Sequence, residues 1–148
     1  MIPLETSFLK TADVMVSHSP NVFRTVLGSC VSVCMWDKYT HCGGMNHFLL
    51  PHSHLAEQAS KYGDYATRKL ISMMRSNGAM HSSLIAKVFG GANVVSSIRH
   101  QIGEQNIQMA KQILAENNIE IVAEDTGGFK SRFIHFDTSN GKVTIRYK

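Results

Sequence analysis

One β-rich run dominates the chain and constrains its fold more than any other feature. From Val22 to Trp36 nearly every position suits a strand, and the run is broken once, at Gly28-Ser29-Cys30. A break of this composition inside a strand pattern marks a bulge, a tight bend, or a place where backbone approaches something closely. A second run, Gly44 to Leu50, ends at Pro51, and the turn-like Asp37 to Gly43 between them makes the two runs adjacent strands. Thr11 to Val16 adds a short alternating stretch. The period changes at Lys61 to Ser76, where Tyr62, Ala66, Leu70 and Met73 recur every three to four residues, predicting a helix closed by Asn77-Gly78. Leu84 to Phe89 reads as a buried strand closing on Gly90-Gly91.

A second helix is expected from Glu104 to Asn117, with Ile107, Ala110, Ile113 and Leu114 inward and Glu104 suited to the positive end of the helix dipole. Ile119 to Ala123, Arg132 to Phe136 and Lys142 to Tyr147 read as strands, the last two joined by a hairpin whose Asn140-Gly141 pair supplies positive φ. About seven strands and two separated helices argue against a regular βαβ repeat and for a layered α+β domain. At 148 residues the chain is read as one domain, spanning 1–148. A chain of that size buries roughly 68–70% of its unfolded surface, so it needs neither disulfides nor a metal to hold a core.

The composition narrows the function. Of 148 residues 43% are apolar, but the longest apolar stretches, near Val31 to Trp36 and Phe48 to Pro51, fall far short of the ~20 residues of a membrane helix. Met1 to Glu5 lacks the basic stretch and apolar run of a secretory signal, and three cysteines make no stapled extracellular scaffold, so the expected compartment is the cytoplasm. Fifteen Lys and Arg against 11 Asp and Glu give a net charge of +4, spread from Lys10 to Lys148 without a run longer than two. Charge distributed in this way fits a solvated surface, not a phosphate-binding stripe, and no nucleic-acid partner is expected.

The chemistry concentrates at Leu27-Gly28-Ser29-Cys30-Val31. A free cysteine in a core is by default a small buried residue. Here, however, Gly28 permits unusual backbone angles, and consecutive N–H groups of Gly28, Ser29 and Cys30 at a bend can form a nest for an oxyanion. The nearest base is His47, which interrupts a run otherwise suited to burial; if the two strands are neighbours, Cys30 and His47 meet across the sheet. Cys30, Cys34, Cys42 and His47 nominally compose a zinc set. Their Cys-x3-Cys-x7-Cys-x4-His spacing is not a common one, and Cys30 and Cys34 on one strand stand about 13 Å apart. His52 and His54 fit a solvated loop. No metal or organic cofactor is expected, Cys34 is read as core, and Cys42, beside two glycines, as either near the site or exposed.

Five ordered blocks carry a resemblance: Leu27-Gly28-Ser29-Cys30-Val31-Ser32-Val33, Gly43-Gly44-Met45-Asn46-His47-Phe48-Leu49-Leu50-Pro51, Lys87-Val88-Phe89-Gly90-Gly91-Ala92, Ile102-Gly103-Glu104-Gln105-Asn106, and Ala123-Glu124-Asp125-Thr126-Gly127-Gly128. Together they resemble CheD, the bacterial chemoreceptor glutamine deamidases. The resemblance implies a cysteine hydrolase of layered α/β/β architecture with mixed sheets, similar to toxin deamidases. It implies Cys30 as nucleophile, His47 as base and a threonine shortly before the cysteine. Thr25 is the candidate for that threonine; the family's position varies by one residue, and Arg24 holds the alternative. The implied substrates are receptor glutamines, with receptor glutamate methyl esters open to the same chemistry, and the implied regulatory partner is a CheC-type phosphatase. Gly90-Gly91 and Gly127-Gly128 are read as turns beside the site, and Asp125 and Thr126 as capping or binding residues. The alternative function is a non-catalytic chemotaxis adaptor binding receptor or CheC, which would not need Cys30 and His47 together.

Overall fold

A computed structural model describes residues 5–93 and 101–148; Met1 to Leu4, the start of the segment without a secretory pattern, lie outside them. The described residues form nine strands and two α-helices in three layers. A four-stranded sheet has the order β1 (Glu5–Phe8), β3 (Asn21–Leu27), β8 (Arg132–Asp137), β9 (Lys142–Tyr147). A five-stranded sheet has the order β2 (Val14–Ser17), β5 (Gly43–Asn46), β4 (Val31–Asp37), β6 (Leu84–Gly90), β7 (Glu120–Thr126). Both sheets are mixed: β1 runs parallel to β3 and β6 parallel to β7, and the other pairs are antiparallel. Helices α1 (Gly63–Ser76) and α2 (Ile102–Glu116) cover the outer face of the five-stranded sheet, so the expected α/β/β sandwich is observed.

The sequence patterns follow from this layering. Strand β4 lies between the helices on one side and the second sheet on the other. Val31, Val33 and Met35 pack with Ala66, Leu70 and Met74 of α1 and Ile107, Ala110 and Ile113 of α2. On its opposite face, Cys30, Cys34 and Trp36 join Phe23, Leu27, Ile134 and Phe136 between the sheets. A strand covered on both faces has no reason to alternate, which is why Val31 to Trp36 reads as a continuous apolar run. Strand β3 has one face toward solvent and alternates strictly, burying Asn21, Phe23, Thr25 and Leu27.

Several expectations are corrected. Of the three readings of the break at Gly28-Ser29-Cys30 the bulge falls, because β3 and β4 belong to different sheets, while the bend and the close approach hold, since the chain crosses the sandwich there with Gly90 against the Cys30 carbonyl. Strand β1 had no counterpart in the sequence reading, being a four-residue, largely exposed edge strand. The stretch from Thr11 is strand only from Val14, after a turn in which Ala12 takes φ of 77°. Helix α1 turns Met74, not Met73, into the core, and it starts at Gly63 because Tyr62 is extended. Cys42 is neither exposed nor near Cys30; it is fully buried at the Asp37 end of β4, roughly 20 Å along the strand.

The β8–β9 hairpin ties the sheets together at that far end. Of its Asn-Gly pair only Gly141 takes positive φ, 77°, in a four-residue loop from Thr138 to Gly141. Trp36 Nε1 donates to the Thr138 carbonyl at 2.9 Å, and its ring lies where a Cβ on Gly141 would fall, 2.6 Å away. A Gly141→Ala variant therefore meets both an unfavourable φ and a collision with a rigid ring. It is expected to lose about 1–3 kcal/mol of stability, read as a lowered urea midpoint; an unchanged midpoint would contradict this packing.

Candidate active site

Four segments cross from one sheet to the other, and two of them converge. Residues 9–13 carry the chain from β1 to β2, and residues 28–30 carry it from β3 to β4. His47, just past the end of β5, lies between them and is 5% exposed. Its backbone is held by the first crossing: His47 N donates to the Asp13 carbonyl at 3.1 Å, and Ala12 N donates to the His47 carbonyl at 2.7 Å.

The imidazole is held across the sandwich by Thr25 of the opposite sheet. Thr25 Oγ1 lies 2.7 Å from His47 Nδ1 and 2.8 Å from the Leu9 carbonyl. The Leu9 carbonyl can only accept, so the Thr25 hydroxyl donates to it and accepts from His47 Nδ1–H. That network assigns the proton to Nδ1 and leaves the lone pair on Nε2. Thr25 is fully buried and Arg24 points to the other side of β3, so only Thr25 can make this contact.

Cys30 shares the same face. Strand β4 pairs with β5 through Cys34–Met45, Met35–Gly44 and Trp36–Gly43, and the same register continues to a bridge between Val31 and Phe48. Val31 N donates to Phe48 O at 3.2 Å and Phe48 N to Val31 O at 3.0 Å. In that register Cys30 and His47 are diagonal neighbours, for which Cα separations are about 7–8 Å and side chains come within reach. Val31 and Phe48 turn to the helix side, while Cys30 packs with the inter-sheet cluster and His47 meets Thr25 of the opposite sheet.

The turn itself is tightly fastened through its carbonyls. Gly28 O accepts from Ala92 N and Cys30 O from Gly91 N, each at 2.9 Å, and Ser29 O accepts from Asn106 Nδ2 at 3.0 Å. Gly90, at φ of 104°, passes so close that any Cβ there would strike the Cys30 carbonyl. Among the described residues no acceptor takes the N–H of Ser29 or Cys30. The Cys30 N–H favours the thiolate of its own side chain.

Burial governs both titrations. It raises the Cys30 thiol above its ordinary value, and the backbone N–H offsets this only in part. Burial also lowers the His47 imidazole, against opposing pulls from the Asp13 carboxylate and the Leu9 carbonyl. Thiol and imidazole therefore rest as a neutral pair at pH 7. Cys34, sealed in the core, is raised by burial far out of any useful range despite the charge of Lys87. Asp125 and Thr126 are occupied structurally, Asp125 with Arg132 Nε at 3.0 Å and Thr126 with Glu124 at 3.2 Å. Among the described residues no group of three or more His, Cys, Asp or Glu side chains is close enough to hold a metal ion.

The sequence reading did not single out Leu9, Asp13 or Asn46. Leu9 acts through a backbone carbonyl, which leaves no residue-type signal. Asn46 Oδ1 accepts from Val33 N at 2.8 Å, replacing a rung of the β4–β5 ladder just before His47. Asn106 stood within a quoted block but had no role there.

Residues 49–147 match the family model described as CheD chemotactic sensory transduction. That match is two thirds of the chain, though it begins after Thr25, Cys30 and His47. Relatives extend over all three. A protein of Sulfurimonas denitrificans, named probable chemoreceptor glutamine deamidase CheD, is 41% identical over 97% of this chain and 94% of its own. The chain belongs to the CheD family. A second relative, from Anaeromyxobacter dehalogenans and named probable chemoreceptor glutamine deamidase CheD 1, is 38% identical over 94% of this chain and 82% of its own. Among solved structures, the Bacillus licheniformis hypothetical protein YfiH matches 76% of this CheD-family chain and 49% of its own, with a TM-score of 0.51 and 12% identity, which speaks to fold alone.

Because folding keeps His47 neutral, the unfolded chain binds more protons than the native one below the ordinary histidine value near 6.5. His47 thus contributes stability that is full above that value and is lost as pH falls through its lower, folded pKa. Urea midpoints should drop between pH 7 and 5, and drop less in His47→Asn. Equal slopes in the two proteins would contradict a buried neutral imidazole.

Proposed function

We propose that this chain, as a single domain spanning 1–148, deamidates glutamine side chains of chemotaxis receptors. Cys30 is the nucleophile, His47 the general base and Thr25 the residue that orients His47. The observation that carries the reading is the Thr25–His47 contact at 2.7 Å, beside a half-buried cysteine on the same face. A neutral imidazole with its lone pair on Nε2 and its Nδ1–H tied down is prepared to take a proton, and a thiol is the group placed to give one.

In the first half-reaction His47 Nε2 accepts the Cys30 proton as the sulfur bonds to the carboxamide carbon. The N–H groups of the Gly28-Ser29-Cys30 turn receive the oxyanion. Burial, which makes a standing thiolate costly, lets the charge form only as the substrate arrives to share it. The C–N bond then breaks, His47 returns the proton to nitrogen, and ammonia leaves a thioester. Water attacks that thioester while giving a proton to His47, and collapse releases glutamate and restores the thiol. Every proton passes through side chains of this protein, so the sequence of steps is complete without a cofactor.

Methyl esters of receptor glutamates fall within the same reading, since the acyl group is identical and methanol replaces ammonia as leaving group. The substrate is a folded helical protein with a Glu- and Gln-rich surface, which a net charge of +4 favours through association rate. A CheC-type phosphatase is the regulatory partner. The cytoplasm is the compartment, and no helix among the described residues is long and apolar enough to cross a membrane.

The reading is tested by intact mass and peptide mapping of a receptor cytoplasmic fragment incubated with the protein. Deamidation adds about one mass unit per site. Wild type should produce the shift, Cys30→Ala and His47→Ala should not, and Thr25→Val should lower kcat by about 10²-fold with recovery in Thr25→Ser. kcat/KM should fall with acid only below pH 6.5, where the lowered His47 titrates. A fragment bound but left unmodified by wild type would favour the adaptor reading.

A further inference from the structure

The segments bearing Cys30 and His47 are joined by few strand hydrogen bonds. Beyond the Val31–Phe48 bridge the ladder is lost on both sides, since Val33 N is taken by the Asn46 side chain and the carbonyls of Ser29 and Leu49 leave the sheet. Both carbonyls turn to one side chain on α2. Asn106 is fully buried, and its Nδ2 donates to Ser29 O and to Leu49 O, each at 3.0 Å. Two carbonyl partners can be met only by the NH2 group, which settles the orientation of the amide. Ser29 directly precedes Cys30. Leu49 follows His47 by two residues and stands opposite Cys30 in the register of the bridge.

The rest of Asn106 is poorly served by this arrangement. Its Oδ1 is buried with no hydrogen-bond partner among the described residues, and such an acceptor is costly. A residue kept only to fill the space between α2 and β4 would be apolar, as its neighbours Ile107 and Ala110 are. A single NH2 that reaches both segments accounts for a polar residue where core packing does not.

We propose that Asn106 is a positioning residue for the deamidation: its two hydrogen bonds staple the Ser29–Cys30 turn to the His47–Leu49 segment and set the separation of thiol and imidazole. The proposal rests on the Cys30–His47 reading above. Asn106 touches neither substrate nor reacting atoms. Without it the two carbonyls lose their shared donor and the two segments can shift independently. A displacement of about 1 Å between reacting groups costs about 10²-fold in rate while leaving contacts to the receptor surface intact.

The test uses the full chain and a receptor cytoplasmic fragment, with Asn106→Leu, of similar size, Asn106→Ser, which keeps one donor, and Cys30→Ala as control. Each is followed by thermal melting, by kcat and KM, and by the pH profile of Cys30 alkylation with iodoacetamide. Asn106→Leu should melt as a folded protein, lose about 10²-fold in kcat at unchanged KM, and show an alkylation profile without the His47 inflection expected of wild type. Asn106→Ser should recover part of the rate. Wild-type kcat in Asn106→Leu overturns the proposal, and so does unfolding of both variants, which would make Asn106 a residue of the fold alone. Activity in Cys30→Ala is a separate outcome: it removes the underlying reading, and the proposal with it.

Discussion

A hydrogen bond between two sheets organises this molecule's proposed chemistry. Thr25 belongs to the four-stranded sheet and His47 to the end of a strand in the five-stranded one, and their contact at 2.7 Å exists only because the sheets stack face to face. The stacking is set by bulk: Phe23, Leu27, Ile134 and Phe136 on one side meet Cys34, Met45 and Phe89 on the other. Thr25 is the polar position in the buried row of β3 between Phe23 and Leu27, so its hydroxyl is delivered to the interface by the packing on either side of it. The Leu9 carbonyl, supplied by the first sheet crossing, then decides which way that hydroxyl points.

The same burial that orients the groups also sets their charges. His47 and Cys30 are both pushed toward their neutral forms, so the protein holds an uncharged donor and acceptor and no standing ion pair. In the proposed mechanism such a neutral pair stays quiet until a substrate carbonyl arrives to accept the electrons, and the N–H groups at the turn stabilise the charge. Holding such a pair in place falls to the backbone: the Gly28, Ser29 and Cys30 carbonyls are fastened to Ala92, Asn106 and Gly91, and the tight passage beside Gly90 leaves no room for a side chain. Function and fold meet at one end of the sandwich, while the Trp36–Thr138 contact closes the other.

What could be read from the sequence divides along physical lines. Periodicity is local, so β3, β4 and both helices were legible, down to the inward row Ile107, Ala110, Ile113 and Leu114. Which sheet a strand joins is not local. Val22 to Trp36 therefore read as one interrupted strand, although the interruption is a passage between layers. Edge strand β1 was lost because four exposed residues carry no pattern. In the site, Cys30 and His47 stood out as reactive residue types in an apolar setting. Thr25 was named from the family resemblance, but that its side chain reaches His47 depends on which face of β3 is inside, and Asn106 could acquire a purpose only when its two carbonyl partners, 77 and 57 residues away, were brought to it.

The claim on which the account most depends is the state of the His47 ring, because tautomer and charge together determine whether it can take a proton from Cys30. Long-range ¹H–¹⁵N correlation spectra of the ¹⁵N-histidine-labelled protein, recorded across pH, read both. The account predicts a neutral ring protonated at Nδ1, with titration below pH 6.5 and loss of that tautomer's dominance in Thr25→Val. A ring protonated at Nε2, or an imidazolium persisting above pH 6.5, would contradict it.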